Sequence, residues 1–140
     1  MSAASDHVIA EHTVMAWCMG MSDSIKNADL DLHMGYVSRR VKVYGIPSKE
    51  VIEYRDWKAR RKYEFENGDI LALNYQNVRL ISSTQRRIRF TTTETTVVKN
   101  GKMLVLNKNI ILEREDDGIW RVVEERVNDW QVKNIDLSKY

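Results

Sequence analysis

A chain of 140 residues, 43% apolar and 30% charged, suits one domain built around one core, read here as continuous over residues 1–140. No apolar run approaches the roughly 20 residues that cross a bilayer as a helix, and the opening MSAASDHVIAEH has neither the basic start nor the apolar segment of a secretory signal, so a cytoplasmic protein is expected. The net charge of +2 is too small to signal nucleic-acid binding, although basic residues cluster at SRRVK, KARRK and QRRIR, and the single Cys18 can form no disulfide within the chain.

From about Val8 to Asn27, the apolar residues Val14, Trp17, Cys18, Met21 and Ile25 recur at the spacing of one helix face. Asn27 is the expected cap of a short second helix carrying Leu30, Met34 and Val37, with Gly35 weakening it. RVKVYG alternates as a short strand. GIPS then turns the chain into a third helix, with Ser48 as its expected N-cap and Asn67-Gly68 as its stop. After Gly68 the pattern changes to four long β-rich runs, at about Ile70 to Ile81, Arg86 to Val98, Met103 to Arg114 and Ile119 to Trp130. Asn100-Gly101 has the composition of a type I′ hairpin turn, and Asp117-Gly118 marks a second turn. Runs this long must bend or bulge, so the expectation is an α+β domain with three N-terminal helices packed on one face of a curved antiparallel sheet.

One run carries a chemical question. In RIRFTTTETT successive side chains point to opposite faces, which puts Ile88, Phe90, Thr92, Glu94, Thr96 and Val98 on one side. Glu94 is then a carboxylate on an apolar face, and it must be paired, protonated or wet. Arg61 lies on the aromatic face of the third helix with Tyr54, Trp57 and Phe65, and it is either a ligand-binding guanidinium or a structural partner for an inward carboxylate. Glu94 and Glu124 are the candidate carboxylates, and Glu125 takes the place of Glu124 if a bulge intervenes. The structural pairing is the expectation, with Glu94 at a pocket rim bonded to Arg61 or to neighbouring threonines, and with Trp17 and Trp57 meeting across the core.

The order of elements resembles the nuclear-transport-factor-2-like (SnoaL-like) superfamily, a cone-shaped, cystatin-like α+β fold. The likeness is carried by NADLDLHMGYVSRRVKVYG, similar to the family's short helix entering its first strand, and by DDGIWRVVEE, similar to its last hairpin. Trp57 and Arg61 match a W-x-x-x-R pattern of bacterial members, followed by NYQNVRLI and by W-x-V-x-x-E from Trp120 to Glu125. Those members are mostly described as accessory or binding domains. The resemblance implies a pocket between helices and sheet and a homodimer through the sheet. It also admits enzymes such as ketosteroid isomerase, scytalone dehydratase, limonene epoxide hydrolase and polyketide cyclases, whose catalytic motifs do not align cleanly here.

Three functions compete. The first is a binding and dimerisation module for a small, partly apolar molecule, with Trp17, Tyr36, Tyr54, Trp57, Arg61, Tyr75 and Trp120 as candidate lining residues, although such aromatics are also ordinary core. The second is a cofactor-free isomerase, dehydratase or hydrolase with Glu94 as candidate base. The third is a protein or nucleic-acid adaptor using Arg86, Arg87 and Arg89. His7, His12 and His33 lack metal spacing, and no phosphate-binding glycine motif occurs, so neither metal nor cofactor is expected.

Overall fold

The computed structural model describes residues 3–140. Helix α1 (Ala3–Lys26) buries Ala10, Val14, Trp17, Cys18, Met21 and Ile25, the face expected from their spacing. Helix α2 (Leu30–Met34) is capped by Asp29, whose side chain accepts from the Leu32 amide at 3.0 Å; Asn27 is not the cap. Asp29 has the extended backbone a cap needs, and it follows Ala28, which turns the chain at a positive φ of 49°. Strand β1 (Val37–Tyr44) follows directly.

The third helix starts later than its sequence suggests. Ser48 takes a φ of 68° in the loop, a two-residue strand β2 (Ile52–Glu53) intervenes, and Glu53 is the N-cap of α3 (Tyr54–Asn67), closing a reciprocal capping box with Asp56. Gly68 ends α3 in the left-handed conformation, as expected.

Four long strands follow, β3 (Ile70–Ser83), β4 (Arg87–Val98), β5 (Lys102–Arg114) and β6 (Trp120–Asn134). The sheet order is β2-β1-β6-β5-β4-β3, every pair antiparallel except β1 with β6. Breaks in register occur in β3 after Gln76 and in β6 after Val122 and Val127, where one strand carries an extra residue and bends. The turn at Asn100-Gly101 is not type I′, because Asn100 keeps a negative φ. Gly101 alone is left-handed, its amide reaching back to the Val98 carbonyl at 3.1 Å, so the loop has three residues; in the longer loop between β5 and β6 the amide of the left-handed Gly118 likewise reaches back to the Glu115 carbonyl, at 2.8 Å.

The helices lie on the concave face of the sheet, and the core fills the space between, around Trp17, Phe90, Ile110, Leu112 and Val122. Trp17 and Trp57 are both buried, but they have different neighbours. Trp17 packs on Tyr75 and Phe90, with ring centroids at 5.6 and 6.2 Å, whereas Trp57 packs on His33 at 6.1 Å. Among the described residues no helix is long and apolar enough to cross a membrane.

Candidate functional site

The alternation of β4 delivers Glu94 to the concave face, fully inside. Its antiparallel neighbour β5 brings Lys108 to the same face, and the extra residue that β6 carries beyond Ile111 turns Glu125 inward while Glu124 points out to Arg126. Lys108 Nζ donates to Glu94 Oε2 at 2.9 Å and to Glu125 Oε1 at 2.8 Å. All three are buried, and they form the floor of a cavity of about 390 Å3.

The cavity walls are mainly aliphatic, from Val43, Ile52, Leu104, Leu106 and Val127, with Trp57 on one side and the half-exposed Trp130 at the mouth. Arg60, Arg61 and Glu64 of α3 complete the rim, Arg61 Nη1 donating to Glu64 Oε1 at 3.1 Å. Arg61 therefore pairs with Glu64 one helical turn away, and the expected pairing with Glu94 does not form. A lysine on the adjacent strand meets the carboxylate instead, since Thr92 and Lys108 face each other directly and Glu94 lies one inward position along. Nor does Glu94 sit at the rim; it lies at the floor.

The two carboxylates differ. Glu125 Oε2 is sealed from solvent with no hydrogen-bond partner, and burial pushes its carboxyl above the usual carboxylate range, with the Glu94 charge adding to the rise and Lys108 opposing it. Glu94 Oε1 also accepts no hydrogen bond from the described residues, but it borders the cavity, which Glu94 lines. Ion pairing with both carboxylates outweighs burial at Lys108 and holds its ammonium above the ordinary lysine value. The phenol of Tyr75 is a second sealed, unpartnered group, and burial drives it far from ionisation.

A second buried polar group lies behind Trp57. The indole N–H of Trp57 donates to His33 Nε2 at 3.0 Å, which fixes the ring proton on Nδ1, 2.9 Å from Ser24 Oγ. The Ser24 hydroxyl donates onward to the Met21 carbonyl at 2.7 Å. Burial, together with the positive charges of Arg61 and Lys108, lowers the His33 pKa to about 2, so the ring is neutral.

Of the residues singled out from sequence, Trp57, Arg61 and Glu94 meet at this cavity. Trp17 and Tyr75 lie in the core, the Trp17 indole donating to the Tyr36 carbonyl at 3.1 Å. The Tyr36 ring fills the gap over Gly20, where any Cβ would meet it at 2.2 Å. Tyr54 is half-buried beneath the Arg39 guanidinium, and Trp120 is half-buried against the core. Lys108 went unrecognised, because a lysine inside an alternating strand reads as an outward residue unless its register against Glu94 is known. Arg86 and Arg87 border a separate surface groove with Arg40 and Arg114, interleaved with Glu113, Glu115 and Asp116. Among the described residues no cluster of side chains has the makings of a metal site.

Helices on the concave side of a strongly bent sheet, with a cavity between them, define the architecture. The chain has the nuclear-transport-factor-2-like, or cystatin-like, fold. It is similar in structure to a scytalone-dehydratase-like protein from Novosphingobium aromaticivorans, with a TM-score of 0.74 at 7% identity over 96% of this chain and 93% of that one. It is also similar to an NTF2-like protein from Shewanella oneidensis, with a TM-score of 0.70 at 12% identity over 85% and 98%. A type 2 hexachlorocyclohexane dehydrochlorinase matches with a TM-score of 0.62 at 9% identity over 94% and 93%. No protein-family model and no curated protein matches the chain in sequence.

Proposed function

We propose that the cavity binds a small, partly apolar molecule and that Glu94 moves a proton on it without a cofactor, as in an isomerase or a lyase. The observation that carries this reading is the placement of Glu94. One oxygen is held by Lys108 and the other borders an apolar cavity, so a bound molecule can reach a carboxylate that water scarcely screens. With all three groups ionised, the floor carries two negative charges and one positive. A proton taken from the bound molecule brings the floor to a net charge of zero. Lys108 keeps its bond to Glu125 throughout and holds Glu94 in position. Two of the proteins of similar fold are named for a dehydratase and a dehydrochlorinase, both eliminations, and a carboxylate base suits an elimination as well as an isomerisation.

The same floor favours a second reading, binding without turnover, because a lysine bonded to both carboxylates also quenches their basicity. Proton exchange separates the two. A panel of small apolar ketones and esters is incubated with the protein in heavy water, and deuterium uptake at carbon is followed by NMR. Base catalysis predicts exchange that Glu94→Gln abolishes while ligand affinity is kept. Binding with no exchange in either protein leaves the second reading. A homodimer through the outer face of the sheet is proposed with either reading, and sedimentation equilibrium showing only a 16.4 kDa monomer at micromolar concentration contradicts it.

A further inference from the structure

The charges of the cavity are sorted by depth. At the mouth, Arg60 and Arg61 share one carboxylate, Glu64, at 3.7 and 3.1 Å, which leaves two positive charges against one negative, a net of +1. At the floor, Glu94 and Glu125 share one cation, Lys108, a net of −1 when all are ionised. Side-chain exposure falls from 61% at Arg60 through 16% at Arg61 to 7% at Lys108 and 2% at Glu125, so the first group is the more exposed and the second the more buried. The aliphatic side chains of Leu104, Leu106 and Val127 line the same cavity.

Arg61 is the unusual member. A guanidinium has five N–H donors, and among the described residues only Nη1 of Arg61 has a hydrogen-bond acceptor, Glu64. The side chain is largely buried, yet none of its nitrogens is sealed off without a partner, and Arg61 lines the cavity. A mostly desolvated cation with unused, planar donors in an apolar pocket suits an anionic oxygen pair. The uncompensated charge at the mouth amounts to one, which suits a monoanion.

Resting on the proton-transfer reading of this cavity, we propose that the molecule it takes is a small apolar monocarboxylic acid, bound with its carboxylate at Arg61 and its hydrocarbon body toward the floor. A carboxylate entering the other way meets Glu94 and Glu125 and is repelled. The reacting carbon therefore lies at the end of the molecule away from the carboxylate. In the step assigned to Glu94, its Oε1 takes a proton from that carbon. The C–H electron pair forms a new carbon–carbon double bond with loss of a neighbouring leaving group, or is delocalised into an adjacent carbonyl and returned with a proton at a second carbon.

The test is calorimetric titration with matched pairs of 3-phenylpropanoic acid and its primary amide, octanoic acid and its amide, and cyclohexanecarboxylic acid and its amide, at pH 7.5. The acids should bind about tenfold or more tightly than the amides, and added salt should weaken only the acids. Arg61→Gln should bring each acid down to the level of its amide, and Glu64→Gln, which frees Arg61, should tighten the acids alone. Amides binding as well as acids, an acid preference that survives Arg61→Gln, or no binding by any pair overturns the assignment. Should Arg61→Gln fail to fold, the acid-to-amide ratio of the unaltered protein and its change in Glu64→Gln still decide. Acid preference with no deuterium exchange removes the catalytic reading and leaves the carboxylate site standing; exchange on ketones with no acid preference does the reverse.

Discussion

Among the described residues, two networks made of buried side chains alone are built on opposite plans. The Ser24–His33–Trp57 chain joins all three helices through neutral groups, each donor matched to an acceptor and the last bond ending on a backbone carbonyl. The Glu94–Lys108–Glu125 cluster joins three adjacent strands through charges, and it leaves valences unmet, one sealed on Glu125 and one facing the cavity on Glu94. A saturated neutral network fixes one packing arrangement and has nothing left to offer a ligand. An ionic cluster with a spare oxygen costs stability to hold and keeps reactivity in reserve. Trp57 touches both, its indole N–H satisfying His33 and its ring lining the cavity.

The contrast breaks most sharply at Lys108. Lys108→Met leaves two buried carboxylates facing each other without a cation and should cost about 3–5 kcal/mol in urea unfolding. Adding Glu94→Gln and Glu125→Gln to it should recover most of that loss, as expected if the cluster exists for something other than stability. A triple variant as unstable as the single one would show that the cluster is a net stabiliser.

Acidification addresses the other group. His33 is neutral in the fold, with its pKa depressed to about 2 from an ordinary 6.5, so its contribution is complete above pH 6.5 and is lost as the pH falls toward 2. The unfolded chain binds the proton and the folded one does not, a slope of roughly 1.4 kcal/mol per pH unit. Glu125 works with the opposite sign, because its raised pKa lets the folded chain gain its proton first. Comparison with His33→Asn cancels that part. Unfolding curves at pH 6.5 and 4.5 should show the parent losing up to about 2.3 kcal/mol more than the variant. Equal losses would mean that His33 takes up a proton in the folded state.

Trp57→Phe keeps a ring at the cavity wall but removes the donor to His33, and it should cost about 1–3 kcal/mol, more than the same change at a core aromatic with no such bond. The smallest effect expected is an absence. A double-mutant cycle of Glu94→Gln with Arg61→Met should give less than about 0.5 kcal/mol of coupling, whereas Glu94→Gln with Lys108→Met should give about 0.5–3 kcal/mol. Coupling of comparable size in the two cycles would contradict the partner assignment.

Much of the fold is legible in the chain because its signals are local. The helix face from Val14 to Ile25, the stop at Gly68 and the inward set Ile88, Phe90, Thr92, Glu94 and Thr96 follow from periodicity and turn chemistry alone. What escapes depends on register between strands. Glu125 rather than Glu124 points inward because β6 carries an extra residue opposite Ile111 and Leu112, and Lys108 reaches Glu94 only through the pairing of β4 with β5. The helix starts missed at Asn27 and Ser48 have a similar origin. Several residues near each start have capping side chains, and the extended backbone a cap needs falls at Asp29 and Glu53.

The parallel pairing of β1 with β6 joins Val37 to Val122 and Tyr44 to Arg126, across most of the length of the chain. Loop closure over such a distance carries an entropic cost that local helices and hairpins do not. During synthesis, β3, β4 and β5 can pair as each emerges, but β1 has only the two-residue β2 beside it until the last long strand is made. One wall of the cavity, Val43 of β1 paired with Glu125 of β6, thus requires the last long strand. A chain lacking β6 holds Lys108 with only one of its two carboxylates, and the cavity is complete only when the sheet is.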